Sequence, residues 1–318
     1  SSISVLKGTI SMLAALVLEV SGCEGNLGDD QDGNGQNGSG QVDNNDGQGG
    51  AENKPSAEGN LVARIVEEYI YEGEENVGVS RNIMDFTYDG NGNVTKITYD
   101  DGGEGLEDDI WYYEFKYDKD KIILSEIYPF DPGENYEMEF RLNGDGNIES
   151  FEGIWSDGKD GVEKEWGTVR YDSEGYVISG EYNETGQTQD VCSAEWKNGN
   201  LVRIKDEFAG ADMEYSNPDF TNSKEKINLD LGWMISESES YYLFISESCG
   251  MMGMIGRMGV RSRLYMTKEY DKASWGSDSA YTYEYDNQGR PEKVHKVCEP
   301  HSNTGDRVKK TTYTITYK

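Results

Sequence analysis

Histidine, proline, cysteine and positive charge are all scarce in this 318-residue chain, and only one apolar run stands out. The two histidines, His295 and His301, offer little choice of base for a Ser-His-Asp or Cys-His nucleophile, and no Gly-x-Ser-x-Gly elbow accompanies them. Of the four cysteines, Cys23, Cys192, Cys249 and Cys298, no two have metal-ligand spacing, and Cys298 with the two histidines falls short of a zinc set. The sequence therefore points to no catalytic residue, no metal site and no cofactor, and to a binding or structural protein rather than an enzyme. Carboxylate pairs of the glycosidase kind arise everywhere by accident among 61 Asp and Glu. Only 29 Lys and Arg oppose them, and a net charge of −32 repels nucleic acid and anionic membrane surfaces. A cation, a neutral glycan or a basic protein stays open as a partner.

The apolar run, Met12 to Leu18, follows Lys7 and is too short to span a bilayer, so residues 1–23 read as an export signal peptide. Behind it, Val20-Ser21-Gly22-Cys23 resembles the lipobox of bacterial lipoproteins, which implies cleavage before Cys23 and lipid attachment to its sulfur. Residues 24–58 form a linker of Gly, Asn, Gln and Asp, with eight acidic residues and one lysine, too poor in apolar side chains to order itself. Within it Asp30, Asp32, Asn34 and Gly35 match half of a calcium loop, but Gln41 replaces the closing Glu, which leaves a solvated linker. Its acidic start, Glu24, Asp29, Asp30 and Asp32, resembles the signal that displays Bacteroidota lipoproteins on the outer face of the outer membrane. The expected location is the outer membrane at the cell surface, with a periplasm-facing attachment as the alternative and the acyl anchor as the link to the bilayer. With Cys23 acylated, three cysteines remain, so at most one disulfide forms and one thiol is spare.

Twenty-two Tyr, six Trp and eight Phe favour strands, and 39 Gly favour turns. The stretch Phe86 to Asp100, FTYDGNGNVTKITYD, reads as a hairpin. Its two strand-like runs flank Asp89-Gly90-Asn91-Gly92-Asn93, where Gly and Asn tolerate the positive φ of a tight reversal. Turn geometry explains these Asp and Asn residues without a calcium ion. The unit recurs at Tyr117-Asp118, Leu142-Asn143, Tyr171-Asp172, Trp196-Lys197 and Tyr285-Asp286, and the first five lead residues are spaced 29, 25, 29 and 25 apart. Trp111, Tyr113, Phe115 and Tyr117 alternate with Glu114 and Lys116, and Tyr136, Met138, Phe140 and Leu142 with Glu137, Glu139 and Arg141. One face is therefore aromatic and dry, the other charged and wet, the opposite of a porin wall. The expected fold is all-β. A large antiparallel meander of about a dozen strands over residues 59–318 closes, or nearly closes, into a barrel-like or sandwich-like sheet that is soluble rather than transmembrane. Such a sheet is too wide for its own side chains to fill, so it must flatten, admit a plug or enclose a cavity. Leu61 to Tyr71 also fits a helical stripe, but its density of Val and Ile favours a strand.

The Tyr-Asp hairpins resemble the YD-repeat units of large bacterial toxin shells. More closely, Tyr171-Asp172 with Gly175, Ala194 through Val202, Tyr215 with Asn217, and Tyr283 through Pro291 resemble a family of Bacteroidota lipoproteins of unknown function with a porin-like fold. That resemblance implies a fold and an envelope location, and brings no catalytic residue with it.

The least ordinary stretch is Cys249 to Gly259, CGMMGMIGRMG, inside the long connection between Tyr215 and Tyr285. Its glycines are expected to preclude a regular strand or a firm helix. Methionine suits surfaces that repack around a ligand. Met251, Met252 and Met254, with Trp111 and Tyr113 of the aromatic face, are thus the candidate ligand-binding residues for a lipid, a sterol or an aromatic-stacking sugar; core filling is their plainer role. The functional expectation is a lipid-anchored envelope protein that binds a ligand or an envelope partner. A structural or adhesion module ranks next, and a glycan-active enzyme last.

Overall fold

The computed structural model describes residues 59–73, 78–106, 109–156, 162–186, 189–206, 212–216, 227–236, 247–272, 276–301 and 307–318. The segment 1–23 with Cys23, and the linker 24–58, lie outside the described residues.

Sixteen strands follow one another along the chain. The first eight are β1 (Val62–Tyr71), β2 (Ser80–Tyr88), β3 (Val94–Asp101), β4 (Ile110–Tyr117), β5 (Lys121–Ile127), β6 (Tyr136–Leu142), β7 (Ile148–Ser156) and β8 (Val162–Tyr171). The rest are β9 (Val177–Glu184), β10 (Asp190–Lys197), β11 (Asn200–Asp206), β12 (Asp212–Ser216), β13 (Lys268–Asp271), β14 (Ser277–Tyr285), β15 (Pro291–Pro300) and β16 (Lys309–Tyr317). Each pairs antiparallel with its sequence neighbours, and β1 pairs with β16, so the meander closes into a barrel. The hairpin pattern undercounts these strands because β12 and β13 are only five and four residues long and no Tyr-Asp turn joins them.

The alternation read from the sequence sets the two faces. Tyr113, Phe115, Met138 and Phe140 sit in one buried cluster, while Trp111 and Tyr283, on the same inward face, are half-buried. Outward, neighbouring strands carry ion pairs: Arg64–Asp85 at 2.6 Å, Lys121–Glu139 at 2.8 Å, Lys164–Glu152 at 2.9 Å and Arg203–Asp212 at 2.6 Å. Exposed pairs of this kind add about 0–1 kcal/mol each. Their larger consequence is a charged outer wall where a lipid-facing barrel carries an apolar band.

All the Tyr-Asp turns join an even strand to the next odd one, so they share one end of the barrel, here the turn end; the opposite end is the mouth. Four of these turns are built alike. The Oδ1 of Asp89 accepts the backbone N–H groups of Asn91 and Asn93 at 2.8 and 2.9 Å, and Asn143, Asp172 and Asp286 repeat the pattern. The glycine three residues after each, Gly92, Gly146, Gly175 and Gly289, takes a φ between 78° and 87°, which a Cβ would oppose. The other Asp89 oxygen accepts from the Asn93 amide, so the turn itself occupies the carboxylate.

Four lead aromatics, and Tyr317 at the end of β16, tie backward. Tyr88 donates to the carbonyl of Val62, Tyr117 to Val94, Tyr171 to Ile148 and Tyr317 to Pro291, and the Trp196 indole to Val177. Every acceptor is the first residue of the strand just before. Burial pushes the Tyr88 pKa up to about 12, so its hydroxyl keeps the proton it donates.

Burial works against the charge on Asp89, but hydrogen bonds from Asn93, Asn91 and Gly92 outweigh it and lower its pKa. A carboxylate depressed on folding contributes stability that is complete above its unfolded pKa, about 3.9, and is lost as the pH falls through the folded value. Asp89→Ala is expected to cost on the order of 1 kcal/mol in urea unfolding at neutral pH. Asp89→Asn should keep the turn, as Asn143 does in its own hairpin, and should reduce the acid sensitivity between pH 5 and 3.

Candidate functional site

The insertion between β12 and β13 turns inward. It supplies two helices, α1 (Gly232–Ile235) and α2 (Glu247–Met254), whose Trp233, Ile235, Met251, Met252 and Met254 join the same buried cluster as the inward strand residues. The methionine stretch is thus helical up to Met254, against the expectation from its glycines. Tertiary packing supplies what propensity lacks. Gly253 lies flat against the Trp233 indole, where an added Cβ would stand 2.3 Å from the ring, and the N–H of Asp230 donates to the Met254 carbonyl at 2.8 Å.

After α2, residues 255–264 run as a strap along the turn end and bond to three successive hairpins. The Arg257 carbonyl accepts the N–H of Ile148 at 2.9 Å, and Gly259 donates to Asn147 Oδ1 at 3.1 Å. Val260 then donates to the Gly175 carbonyl, Arg263 to that of Gly199, and Leu264 to Asn200 Oδ1, each at 2.9 Å. Asn147 and Asn200, buried polar residues inconspicuous in the sequence, are therefore the sockets of the strap. A second anchor lies deeper. Glu269, fully buried, accepts from Ser236 Oγ at 2.6 Å and from the Tyr281 hydroxyl at 2.5 Å, and buried Lys296 donates to the Ile235 carbonyl at 2.8 Å.

Met251, Met252 and Met254 are 2%, 0% and 1% exposed, which places them inside the plug rather than on an open surface. A cavity beside them, lined by Trp233, Gly253, Met258, Arg261 and Trp196, measures about 10 Å³, room for one water molecule. Tyr113 lies in the same buried cluster as the three methionines, and Trp111 packs against that cluster from the mouth side, so the structure brings the five candidates together as core. Trp111 is sandwiched between Tyr99 and Tyr128, at ring distances of 4.3 and 5.6 Å, and Tyr113 stands edge-on to it at 5.2 Å. Both indole faces are covered, and the stack stiffens the wall instead of offering a platform.

Near the mouth the inner wall becomes polar. Tyr136 reaches across Gly153 to bond Glu165, and Tyr182 donates to Glu184 at 3.4 Å. Asp190, Cys192 and Asp206 bring their ligating atoms within 4.8 Å of one another, a grouping hidden in the sequence because it spans two strands. Burial first, then Asp206 and Asp190, push the Cys192 thiol pKa up, so the thiol stays protonated and donates to Asp206 at 3.6 Å. Cys192, Cys249 and Cys298 are all free thiols and all buried.

With this geometry in hand, the fold can be set beside known structures. A porin-like protein from Bacteroides uniformis matches with a TM-score of 0.60 at 13% identity, over 81% of this chain and 98% of that one. The likeness is one of fold. A porin-like protein from Bacteroides vulgatus, 12% identical over the same shares, has a TM-score of 0.48. No protein-family profile and no curated protein sequence matches the chain.

Gly253→Ala tests the plug. In an unpacked helix this change adds up to about 1 kcal/mol of stability. Here the indole blocks the new methyl, and a loss of roughly 1–3 kcal/mol is expected, read as a lower melting temperature with altered tryptophan fluorescence.

Proposed function

We propose that this chain is a lipid-anchored accessory protein of the outer membrane, displayed at the cell surface, which binds a partner or ligand and neither conducts nor catalyses. The observation that carries this reading is the plug. A strap hydrogen-bonded to three hairpins crosses the turn end, and the cavity beside it holds about 10 Å³, which supports an end closed to solutes. The charged outer wall argues against immersion in lipid, which leaves the acyl chain on Cys23 as the attachment. Porin-like Bacteroides structures support the envelope setting by fold, and the Tyr-Asp turns support kinship with YD-repeat lipoproteins.

The path of the chain adds an orientation. Gly59 enters at the turn end, where its carbonyl accepts from Arg290, and Lys318 N–H donates to the Leu61 carbonyl beside it at 2.9 Å. The described chain therefore starts and ends at the plugged end.

The test is Cys23→Ala expressed in the native host. Release from the membrane fraction, with the β-sheet circular dichroism spectrum unchanged, is the expected result. Retention in the membrane at wild-type levels contradicts the anchor.

A further inference from the structure

Seven large hydrophobic side chains are exposed among the described residues, and four of them lie at one place. Tyr71 (38% exposed), Val79 (60%), Leu106 (49%) and Phe130 (57%) sit on the β1–β2, β3–β4 and β5–β6 loops, all at the mouth. These loops join six adjacent strands, so the strand ends that carry them follow one another about 10 Å apart along the rim. Their exposure is built in. Phe130 stands on a turn closed by the Asp131 N–H to the Tyr128 carbonyl at 3.1 Å, and by the Tyr128 N–H to Asn135 Oδ1 at 2.8 Å. Leu106 accepts the Asp109 N–H at 3.0 Å, while Gly102 N–H binds Asn82 Oδ1 at 3.4 Å and so joins this loop to β2.

The same loops hold Glu72, Asp101, Glu104, Asp109 and Asp131; the cations beside them are Arg81, which packs on Gly103 and pairs with Glu68 at 3.8 Å, and Lys309, the register partner of Tyr71. Burial, then the neighbouring charges of Asp109, Asp100 and Glu67, raise the Asp101 pKa, a sign of crowded like charges. Apolar tips in an acidic field fit one kind of occupant. A second copy of this chain and an anionic bilayer both bring more negative charge, whereas a cationic surface relieves the repulsion while burying the tips.

We infer that this rim is the docking surface for a basic protein partner, which receives Phe130 and Leu106 in apolar pockets flanked by Lys or Arg. The inference deepens the reading above of an envelope protein that binds a partner. To test it, a photo-crosslinking residue is placed at Phe130, at Leu106 and, as a control, at Ile178 on the outer wall, in the full chain in its host. One and the same protein trapped from both rim positions and not from Ile178 is expected. With that protein purified, affinity should fall at least tenfold for Phe130→Ser/Leu106→Ser and also fall as salt rises. In parallel, a Lys/Leu-repeat peptide should bind wild type at least tenfold tighter than the same double variant, whose net charge is unchanged. No adduct, adducts to lipid or to a second copy, equal trapping from Ile178, or affinity indifferent to salt overturns the proposal. Membrane fractionation of the same cells separates the two claims: an anchored protein without rim adducts fails this inference alone, and an unanchored one fails the anchor.

Discussion

A closed sheet of sixteen strands encloses more space than its own inward side chains can fill, and everything else in this protein follows from that width. A small barrel packs itself; this one needs a second body. The chain provides it between β12 and β13, as two short helices and a strap that thread back inside. Methionine at three positions of α2 suits a filler that must conform to an uneven wall, and the glycine between Met252 and Met254 lets an indole approach the helix backbone. Glu269 and Lys296 fix the C-terminal end of α1 more specifically than apolar packing can, because each is buried and hydrogen-bonded to the plug.

The repeated Tyr-Asp unit works in two directions along the turn end. The Asp or Asn shapes the turn ahead, while the aromatic residue, in five hairpins, clamps the start of the strand behind and ties the pair internally at the turn end. Cations then cover several of these rings: Arg257 lies 5.6 Å from the Tyr117 ring, Arg290 4.0 Å from Tyr317 and Lys318 4.7 Å from Tyr88. Arg257 belongs to the strap, so the repeat and the plug are held by the same side chains.

Much of the fold was legible in the sequence because both its signals are local. The hairpin around Asp89 and the two-residue alternation of β4 and β6 depend on neighbours in the chain, and they led to the all-β meander with its charged face outward. The plug was not legible in detail. Gly253 reads as a helix breaker until Trp233, twenty residues earlier, is known to lie against it, and Asn147 reads as one more turn residue until Gly259 reaches it. The rim was hidden for a related reason: Tyr71, Leu106 and Phe130 look like any strand-end apolar residues, and only the successive pairing of β1 to β6 brings their loops to one edge.

The account of a plugged barrel with a charged wall rests on the claim that the strap is fixed to the turn end. Amide hydrogen exchange of Gly259, Val260, Arg263 and Leu264 reads those four bonds directly. The account predicts protection comparable to that of the β6 and β8 amides. Exchange as fast as in an unstructured peptide, with the strands still protected, would contradict it and leave the turn end open.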